Sequence, residues 1–466
     1  MLFSSAFSKP TVYSCLVTTS TRGPIGAAKR HIQAQWLRRK HNNARDDFRQ
    51  SRPDAQASRL DYDYDEMITA TMPMRFSPTS ELLGYPPNVD VDGQSECFIS
   101  GHLMRKIVFT PGIGSPLPRA GPGVKSYRVT SVPNKGEGML AARDISAGEL
   151  VLAERPLLVV PIGVKMKTVR VLPSNGEPTS AQTTQVQEED AEKFFALAVK
   201  RMKPRQREAF EKLESSHLRE GCGPIEGRVR MNAFGFKELR DPPKNGKPGP
   251  NYGIVCEDLS RINHSCGPNT IQHWDMPSFS IQLRAVRDIE QGEEISVNYS
   301  EASLMASYAA RQADLAPYGF RCDCPSCTNP KASDARRHQI RTMLQSRTKL
   351  AEQRSGAGPE EDSDTPVEEL LDGLTLVQEL LDGLKLIEKE GLEGTSGYGF
   401  MLTLVMSRYA ADGDVAGMRV YARKFSVWRV ATHREGAVDE EEVENGFGLL
   451  PLAELVQKMT TGESIL

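Results

Sequence analysis

The amino-acid sequence predicts an α+β protein in which a β-rich domain carries a helical insertion and is followed by an α-helical region. Three observations lead there. From Tyr127 the stretch "YRVTSVPNKGEGMLAARDISAGELVLAERPLLVV" alternates short β-rich runs with Gly and Pro turns. The same signals return in "VRMNAFGF" and in "SFSIQLRAVRDIEQGEEISVNYS". Beyond "CDCPSC" the apolar residues recur at helical spacing instead.

The totals narrow the classes. A chain of 466 residues has room for about three domains. A net charge of only -3 provides no global electrostatic footprint for nucleic acid or an anionic membrane, so neither is expected as a direct partner. No run reaches the roughly 18 apolar residues of a membrane span; even "LVLAERPLLVVPIGV" carries Glu154 and Arg155, and the protein reads as soluble. Eight cysteines are too few for a disulfide scaffold in a chain this long, and a reducing, intracellular compartment is expected.

Taken in order, residues 1–45 contain no Asp or Glu but eight Lys or Arg, with many Ser and Thr. Such a composition is that of a mitochondrial transit peptide, a disordered basic tail or a misplaced start, which sets the mitochondrion beside nucleus and cytoplasm as a location. Residues 46–120 mix charge, Pro and Gly without a period, predicting mostly loop or disorder. The folded domain is placed at 127–300, with an insertion at about 161–226. That insertion opens with a polar interruption over 161–190 and continues as "AEKFFALAVKRMKPRQREAFEKLESSHL", helical with a break at Pro204. A cysteine segment follows at 301–330 and a helical region at 331–435. There "VEELLDGLTLVQELLDGLKLIEKEG" repeats Leu-Leu-Asp-Gly-Leu from Leu370 and Leu380 on one helix face, and "YGFMLTLVMSRYAADG" and "DVAGMRVYARKFSVWRVATH" add two helices. Residues 436–466 read as an acidic tail with a short helix.

The chemistry concentrates in a few motifs. In "RCDCPSCTNP", Cys322, Cys324 and Cys327 place three thiols within six residues, which a tetrahedral zinc ion gathers with one further ligand. Cys266 leads as that ligand, ahead of Cys222 and Cys256, and four thiolates would make the zinc structural. In "RINHSCGPNT", His264 and Cys266 stand only two apart, a poor geometry for a nucleophile and its base. "NKGEGML" sets Gly136 and Gly138 where backbone can approach a ligand, yet lacks the third glycine of a dinucleotide fingerprint. In "RDIEQGEEISVNYS" a turn leads into alternating Ile295, Val297 and Tyr299.

The order of "NKGEGMLAARDI", "RINHSCGPN", "GEEISVNY" and "YGFRCDCPSC" resembles that of SET-domain protein lysine methyltransferases, nearest the SET and MYND type with post-SET cysteines. The resemblance covers roughly 127–330; the MYND zinc module of that group is missing, and the segment 161–226 stands in its place. It implies a β-rich SET fold of β-clip type with knot-like threading of "NHSC" beside "GEEISVNY". It also implies S-adenosylmethionine on one side of the domain and a lysine of a protein substrate entering from the other. Lys135, Gly136, Glu137 and Gly138 would border the methionine part of the cofactor. Asn263 and His264 would hold its adenine and ribose region, largely through backbone groups, with Ser260 and Asn232 as further contacts and Phe320 stacked on the adenine.

Tyr299 is the implied catalytic residue, touching both the amine and the departing cofactor, and Tyr318 the implied second wall of the lysine channel. A phenol with an ordinary pKa near 10 is a poor base, which makes Tyr299 an orienting group. The helical region resembles the one that follows SET in the same group and walls the substrate cleft there. A monomer is expected. The rival class is a catalytically inactive SET-like, zinc-containing scaffold; Tyr299 standing together with Asn263, His264 and Gly138 favours the enzyme.

Overall fold

Apolar alternation along short strands builds three main sheets, and their arrangement decides which loops meet. The computed structural model describes residues 67–73, 75–76, 83–84, 92–120, 125–162, 168–171, 182–185, 191–215, 223–241, 249–300, 303–354 and 377–433. The basic segment 1–45, the acidic loop near 360, the Leu370 copy of the repeat and the tail 436–466 lie outside them. The chain divides after residue 61, and every described residue belongs to the second unit, 62–466. Among the described residues no helix is long and apolar enough to cross a membrane.

The largest sheet has seven strands in the order β10-β9-β1-β4-β8-β12-β11. These are β1 (Met67–Met72), β4 (Ser95–Ser100), β8 (Leu158–Ile162), β9 (Thr168–Val171), β10 (Gln182–Gln185), β11 (Phe234–Gly235) and β12 (Asn251–Val255). A small ribbon, β2 (Arg75–Phe76) with β3 (Leu83–Gly84), precedes β4. Residues 46–120, expected to be mostly loop, therefore contribute the middle of this sheet and a helix, α1 (Gly101–Val108), capped by the Ser100 side chain. The reason is burial. Every residue of β1 and β4 is buried: "SECFIS" shows no polar-apolar alternation, and the brief alternation of Ile68, Ala70 and Met72 with Thr69 and Thr71 in "MITATM" stands amid charged and Pro-rich chain. Their polar groups are paired instead: Thr71 Oγ1 donates to Glu96 Oε1 at 2.8 Å, and Arg201 Nε donates to Glu96 Oε2 at 2.9 Å. Burial pushes the Glu96 carboxyl up, and the Arg201 charge opposes the rise. The polar interruption at 161–190 likewise holds two strands, β9 and β10, on the sheet's outer side, where backbone pairing alone suffices.

Three helices of the insertion cover one face of this sheet. α2 (Ala191–Arg201) ends where Pro204 forbids continuation, and α3 (Pro204–Glu211) starts on that proline, whose missing N–H costs nothing in a first turn. With α4 (Pro224–Asn232) they bury Phe194, Phe195, Ala198, Phe210 and Val229 against Phe98, Leu158, Val160 and Val255.

Two smaller sheets carry the motifs. One has the order β13-β16-β6-β5, from β5 (Tyr127–Val132), β6 (Gly136–Ala141), β13 (Asn263–His264) and β16 (Glu294–Val297). The β5–β6 turn needs left-handed backbone at Asn134 and Gly136, with φ of 61° and 73°, which a glycine adopts without strain. β13 runs parallel to β16, with Asn263 opposite Ser296 and His264 opposite Val297, so the "NHSC" and "GEEISVNY" segments lie side by side. The other sheet joins β7 (Leu150–Glu154), β14 (Thr270–Asp275) and β15 (Ser280–Ala285) in the order β14-β15-β7.

The C-terminal region is helical: α5 (Tyr308–Leu315), α6 (Pro325–Thr328), α7 (Pro330–Arg354), α8 (Val377–Glu390), α9 (Ser396–Ala411) and α10 (Val415–His433). Close approach at Gly399, where a Cβ would stand 2.2 Å from the Trp428 ring, seats α10 on α9. At the other end α8 meets the "CGPN" loop backbone to backbone: a Cβ on Gly267 would lie 2.4 Å from the Glu390 carbonyl oxygen. An ion pair completes this joint. Arg337 Nε donates to Glu390 Oε2 at 2.9 Å, both side chains being almost wholly buried, and Arg337 Nη2 donates to the Cys266 carbonyl at 2.7 Å. Ser333 and Arg336 donate to the same carboxylate.

Removing one partner leaves the other charge buried, so Glu390→Ala is expected to lower stability by about 3–5 kcal/mol in denaturant unfolding. A change below about 0.5 kcal/mol would show that the pair does not hold the joint.

Candidate active site

The parallel pairing of β13 with β16 assembles one wall. Glu294, which opens β16, accepts from Asn263 Nδ2 at 2.9 Å and from Lys135 Nζ at 2.8 Å. Asn263 Nδ2 also donates to the Glu137 carbonyl at 3.2 Å, and Arg261 Nε donates to Glu137 Oε2 at 2.7 Å. Burial works against the Lys135 charge, but the hydrogen bond to Glu294 and the Asp323 carboxylate outweigh it, and its pKa rises. A Cβ on Gly138 would stand 2.6 Å from Val132 Cγ2 and 2.7 Å from Asn263 Nδ2, so only glycine fits this approach. Lys135, Gly136, Glu137, Gly138 and Asn263, expected from sequence to act together, are thus neighbours.

Tyr299 stands where this wall turns into a cavity of about 130 Å³. Asn232, Phe234, Ser260, Ile262, Gln272, Asn298 and Tyr318 are among the residues lining it with Tyr299. The volume is close to that of cavities that admit a benzene-sized group, roughly 150 Å³. It suits an aliphatic chain and is small for a nucleoside. The Tyr299 hydroxyl donates to the Ile262 carbonyl at 2.6 Å, leaving its oxygen lone pairs for another group. Burial holds this phenol far above its ordinary value, with Tyr318 and Glu294 adding to the rise. The Tyr299 ring lies 5.0 Å from that of Tyr318 and 6.3 Å from Phe320, which is 38% exposed and free to cover a planar ligand. Ser260 Oγ donates to the Asn232 carbonyl at 2.9 Å, and Asn232 Nδ2 is committed to the Glu214 and Arg228 carbonyls. Only Oδ1 of Asn232 therefore remains for a ligand.

His264 turns its ring inward rather than onto the wall. Its Nδ1 accepts the Tyr299 backbone N–H at 3.1 Å, which leaves the proton on Nε2, 3.3 Å from Cys266 Sγ. Burial pushes this imidazole down to about 4, so it is neutral at physiological pH.

Cys266, Cys322, Cys324 and Cys327 are all buried, with their sulfurs within 4.8 Å of one another. Cys266 Sγ lies 4.0 Å from Cys322 Sγ and 3.6 Å from Cys327 Sγ. Four thiolates at about 2.3 Å from a tetrahedral zinc would stand about 3.8 Å apart, and the cluster fits such an ion. Its surroundings fit as well. Gln312 Nε2 donates to Cys327 Sγ at 3.5 Å, and the Arg311 guanidinium lies against Cys266 and Cys327. Arg311 Nη1 pairs with Asp334 at 3.2 Å, while its Nε and Nη2 are buried without a hydrogen-bond partner among the described residues, which leaves two donors that anionic sulfurs would satisfy. Cys256 is buried in the main core, away from this cluster, and Cys222 lies outside the described residues.

The comparison with protein families names this arrangement: the model of the SET domain matches residues 136–300. This part of the chain is a SET domain. The histone-lysine N-methyltransferase set5 of Schizosaccharomyces pombe is 31% identical over 220 residues, covering 46% of this chain and 56% of that protein. The histone-lysine N-methyltransferase ASHR2 of Arabidopsis thaliana is 32% identical over 104 residues, covering 21% of this chain and 25% of its own. The histone-lysine N-methyltransferase SMYD3 of Homo sapiens is 43% identical over 77 residues, covering 16% and 17%. The chain thus spans little more than half of set5 and a quarter or less of the other two.

Several residues of the SET-domain site escaped sequence reading. Glu294 was passed over although the alternation of "EISVN" sets it opposite the buried Ile295 and Val297, on the face that meets Gly138. The Asn269 side chain donates to the Glu293 carboxylate and the Glu294 carbonyl and accepts from Ser296 N–H, a role that nothing in "CGPNT" marks. No local signal marks Arg311 and Arg337, both on helices, as neighbours of Cys266.

Purified protein is expected to hold about one zinc ion per chain and Cys266→Ser to release it, as read by metal analysis after dialysis. Equal metal content in the two would remove Cys266 from the ligand set.

Proposed function

We propose that this chain transfers a methyl group from S-adenosylmethionine to the side-chain amine of a protein lysine. The observation that carries the reading is Tyr299: a partly buried, protonated tyrosine at the junction of the Gly138–Asn263 wall and a cavity sized for an aliphatic amine. The names of the relatives, histone-lysine N-methyltransferases, support the class of reaction and of substrate.

The bound cofactor would supply an electrophilic methyl group on a sulfonium. Everything else falls to the chain. Lys135, Gly136, Glu137 and Gly138 would border its methionine end, Asn263 and His264 its far side, with Ser260 and Asn232 reaching it from the cavity and Phe320 covering the adenine. Tyr318, Phe234 and Ile262 give the cavity an apolar side for an entering lysine, and a cation beside the ammonium favours its neutral amine, the proton passing to solvent. Tyr299 and the cavity walls would hold the amine lone pair toward that methyl group. Tyr299 keeps its proton throughout. Its hydrogen bond to Ile262 fixes the hydroxyl, whose oxygen accepts an amine N–H and sets the in-line approach. Held by Cys266, Cys322, Cys324 and Cys327, zinc would be structural, since four thiolates leave no open position. Reduced thiols of this kind suit an intracellular compartment, nucleus or cytoplasm.

With labelled S-adenosylmethionine and a cell extract, wild type is expected to label protein and Tyr299→Phe to do so about a hundredfold more slowly while still binding cofactor. Wild type that binds no cofactor and labels nothing sinks the proposal in favour of a non-catalytic scaffold. Since the phenol stays protonated, the rate is expected to climb with pH as more lysine becomes neutral, without a descending limb near about pH 10. A fall set by Tyr299 in that range would contradict its role.

A further inference from the structure

We propose that Glu294 is a positioning residue for the amino-acid end of the cofactor, because its carboxylate dictates which way the Asn263 side-chain amide faces. The inference rests on the S-adenosylmethionine reading above and adds to it a residue and a mode of recognition.

The argument begins with what each atom can do. A carboxylate and a backbone carbonyl only accept hydrogen bonds. Asn263 lies between one of each, 2.9 Å from Glu294 Oε1 and 3.2 Å from the Glu137 carbonyl oxygen, so its amide nitrogen must face both. Both N–H groups are then committed, and the carbonyl oxygen, Oδ1, is the end left for a ligand. A neutral amide at position 294 could donate as well as accept, which would leave the longer contact to the Glu137 carbonyl as the one acceptor-only partner that holds the Asn263 amide in this direction.

The other carboxylate oxygen extends the device. Glu294 Oε2 accepts from Lys135 Nζ at 2.8 Å, with the two side chains 23% and 31% exposed, so the lysine is held beside the same wall. Gly138 lies against both groups: a Cβ there would be 2.7 Å from Asn263 Nδ2 and 3.3 Å from Glu294 Oε1. The wall thus presents a hydrogen-bond acceptor, Asn263 Oδ1, and a cation, Lys135 Nζ, held at 2.8 Å from Glu294 and 3.8 Å from Asp323 with N–H groups left for a further acceptor. That pair complements a zwitterionic amino acid, the acceptor taking an α-ammonium and the cation a carboxylate. An adenosine without its amino-acid tail has neither group. The side chain of Asn263 therefore serves the methionine end, although its backbone was expected at the adenine side. The strand isolates this function from the core, since Ile295 and Val297 point the other way and stay buried whatever stands at 294.

Calorimetric titration with S-adenosylhomocysteine and with 5′-methylthioadenosine, which lacks the amino-acid end, tests this in wild type, Glu294→Gln, Asn263→Ala and the double variant. Each single variant is expected to bind S-adenosylhomocysteine about tenfold or more weakly and 5′-methylthioadenosine as wild type does. The double variant is expected to be no worse than the weaker single, because both changes remove one interaction. Equal losses on the two ligands, or losses that add in the double variant, overturn the assignment. Should Glu294→Gln lose its metal, Glu294→Asp takes its place: a loss confined to S-adenosylhomocysteine supports the proposal, and an unchanged affinity or an equal loss on both ligands overturns it. Wild type that binds neither ligand removes the methyltransferase reading itself, whereas wild type that binds both while the variants show no selectivity removes only the role of Glu294.

Discussion

The parallel pairing of Asn263 and His264 with Ser296 and Val297 is the constraint on which the rest depends. It joins two segments that are separated in sequence by a complete hairpin, β14 and β15. On one side it delivers the Asn263 side chain to Glu294 and Gly138; on the other it delivers Cys266, two residues on, to the post-SET thiols. Between them His264 bridges the cysteine sulfur and the Tyr299 backbone through its two ring nitrogens. Asn269 repeats the stitch farther along, tying the loop's exit to Glu294 and Ser296. The Gly138–Asn263 wall, the cluster of four thiols and the placing of Tyr299 are therefore consequences of one short stretch of backbone pairing.

The helical region belongs to that arrangement. Arg337 donates to the Cys266 carbonyl and to Glu390 from a position that is almost wholly buried, and it also donates to the Leu304 carbonyl beyond the tyrosine strand. A guanidinium supports this because its planar fork reaches several acceptors in fixed directions. The Glu390 carboxylate keeps the charge compensated in a place where an unpaired ion would be costly. The insertion helices act similarly on the opposite flank through Arg201 and Glu96.

How much of this could be read from sequence differs by element, for physical reasons. The strand-and-turn pattern from Tyr127, the helix break at Pro204 and the two helices after Gly394 are local signals, and the structure has elements in those places. The cysteine trio was legible because metal-binding spacing is local, and its partner Cys266 because few other cysteines were available. β4 was invisible because a strand buried on both faces has no alternation, and Glu96 in "SECFIS" suggests solvent until Arg201 is brought beside it; the alternation from Ile68 to Met72 in β1 was a legible signal, but a short one. Glu294 could have been found from its strand phase. Arg337 could not, because its partners at Cys266 and Glu390 come from distant parts of the chain, and nothing around it in sequence says that a cation will be buried. The turn of His264 away from the wall was likewise hidden, since its two partners are a backbone N–H and a sulfur that only the fold sets there.

The backbone contact between Gly267 and Gly391 bears on the order of events during synthesis. Chain emerges from the ribosome N-terminus first, so the "NHSC" loop is made well before α8 exists to support it. Closing so long a loop carries an entropic cost that contacts repay only once both ends are present. Until then Gly267, Ser326 and Arg337 lack their partners on α8, and the surfaces around them stay uncovered, a state in which chains are prone to aggregate or mispair. The SET domain of this protein, although bounded in sequence by residues 136 and 300, is in that sense finished only when the ribosome has passed residue 391.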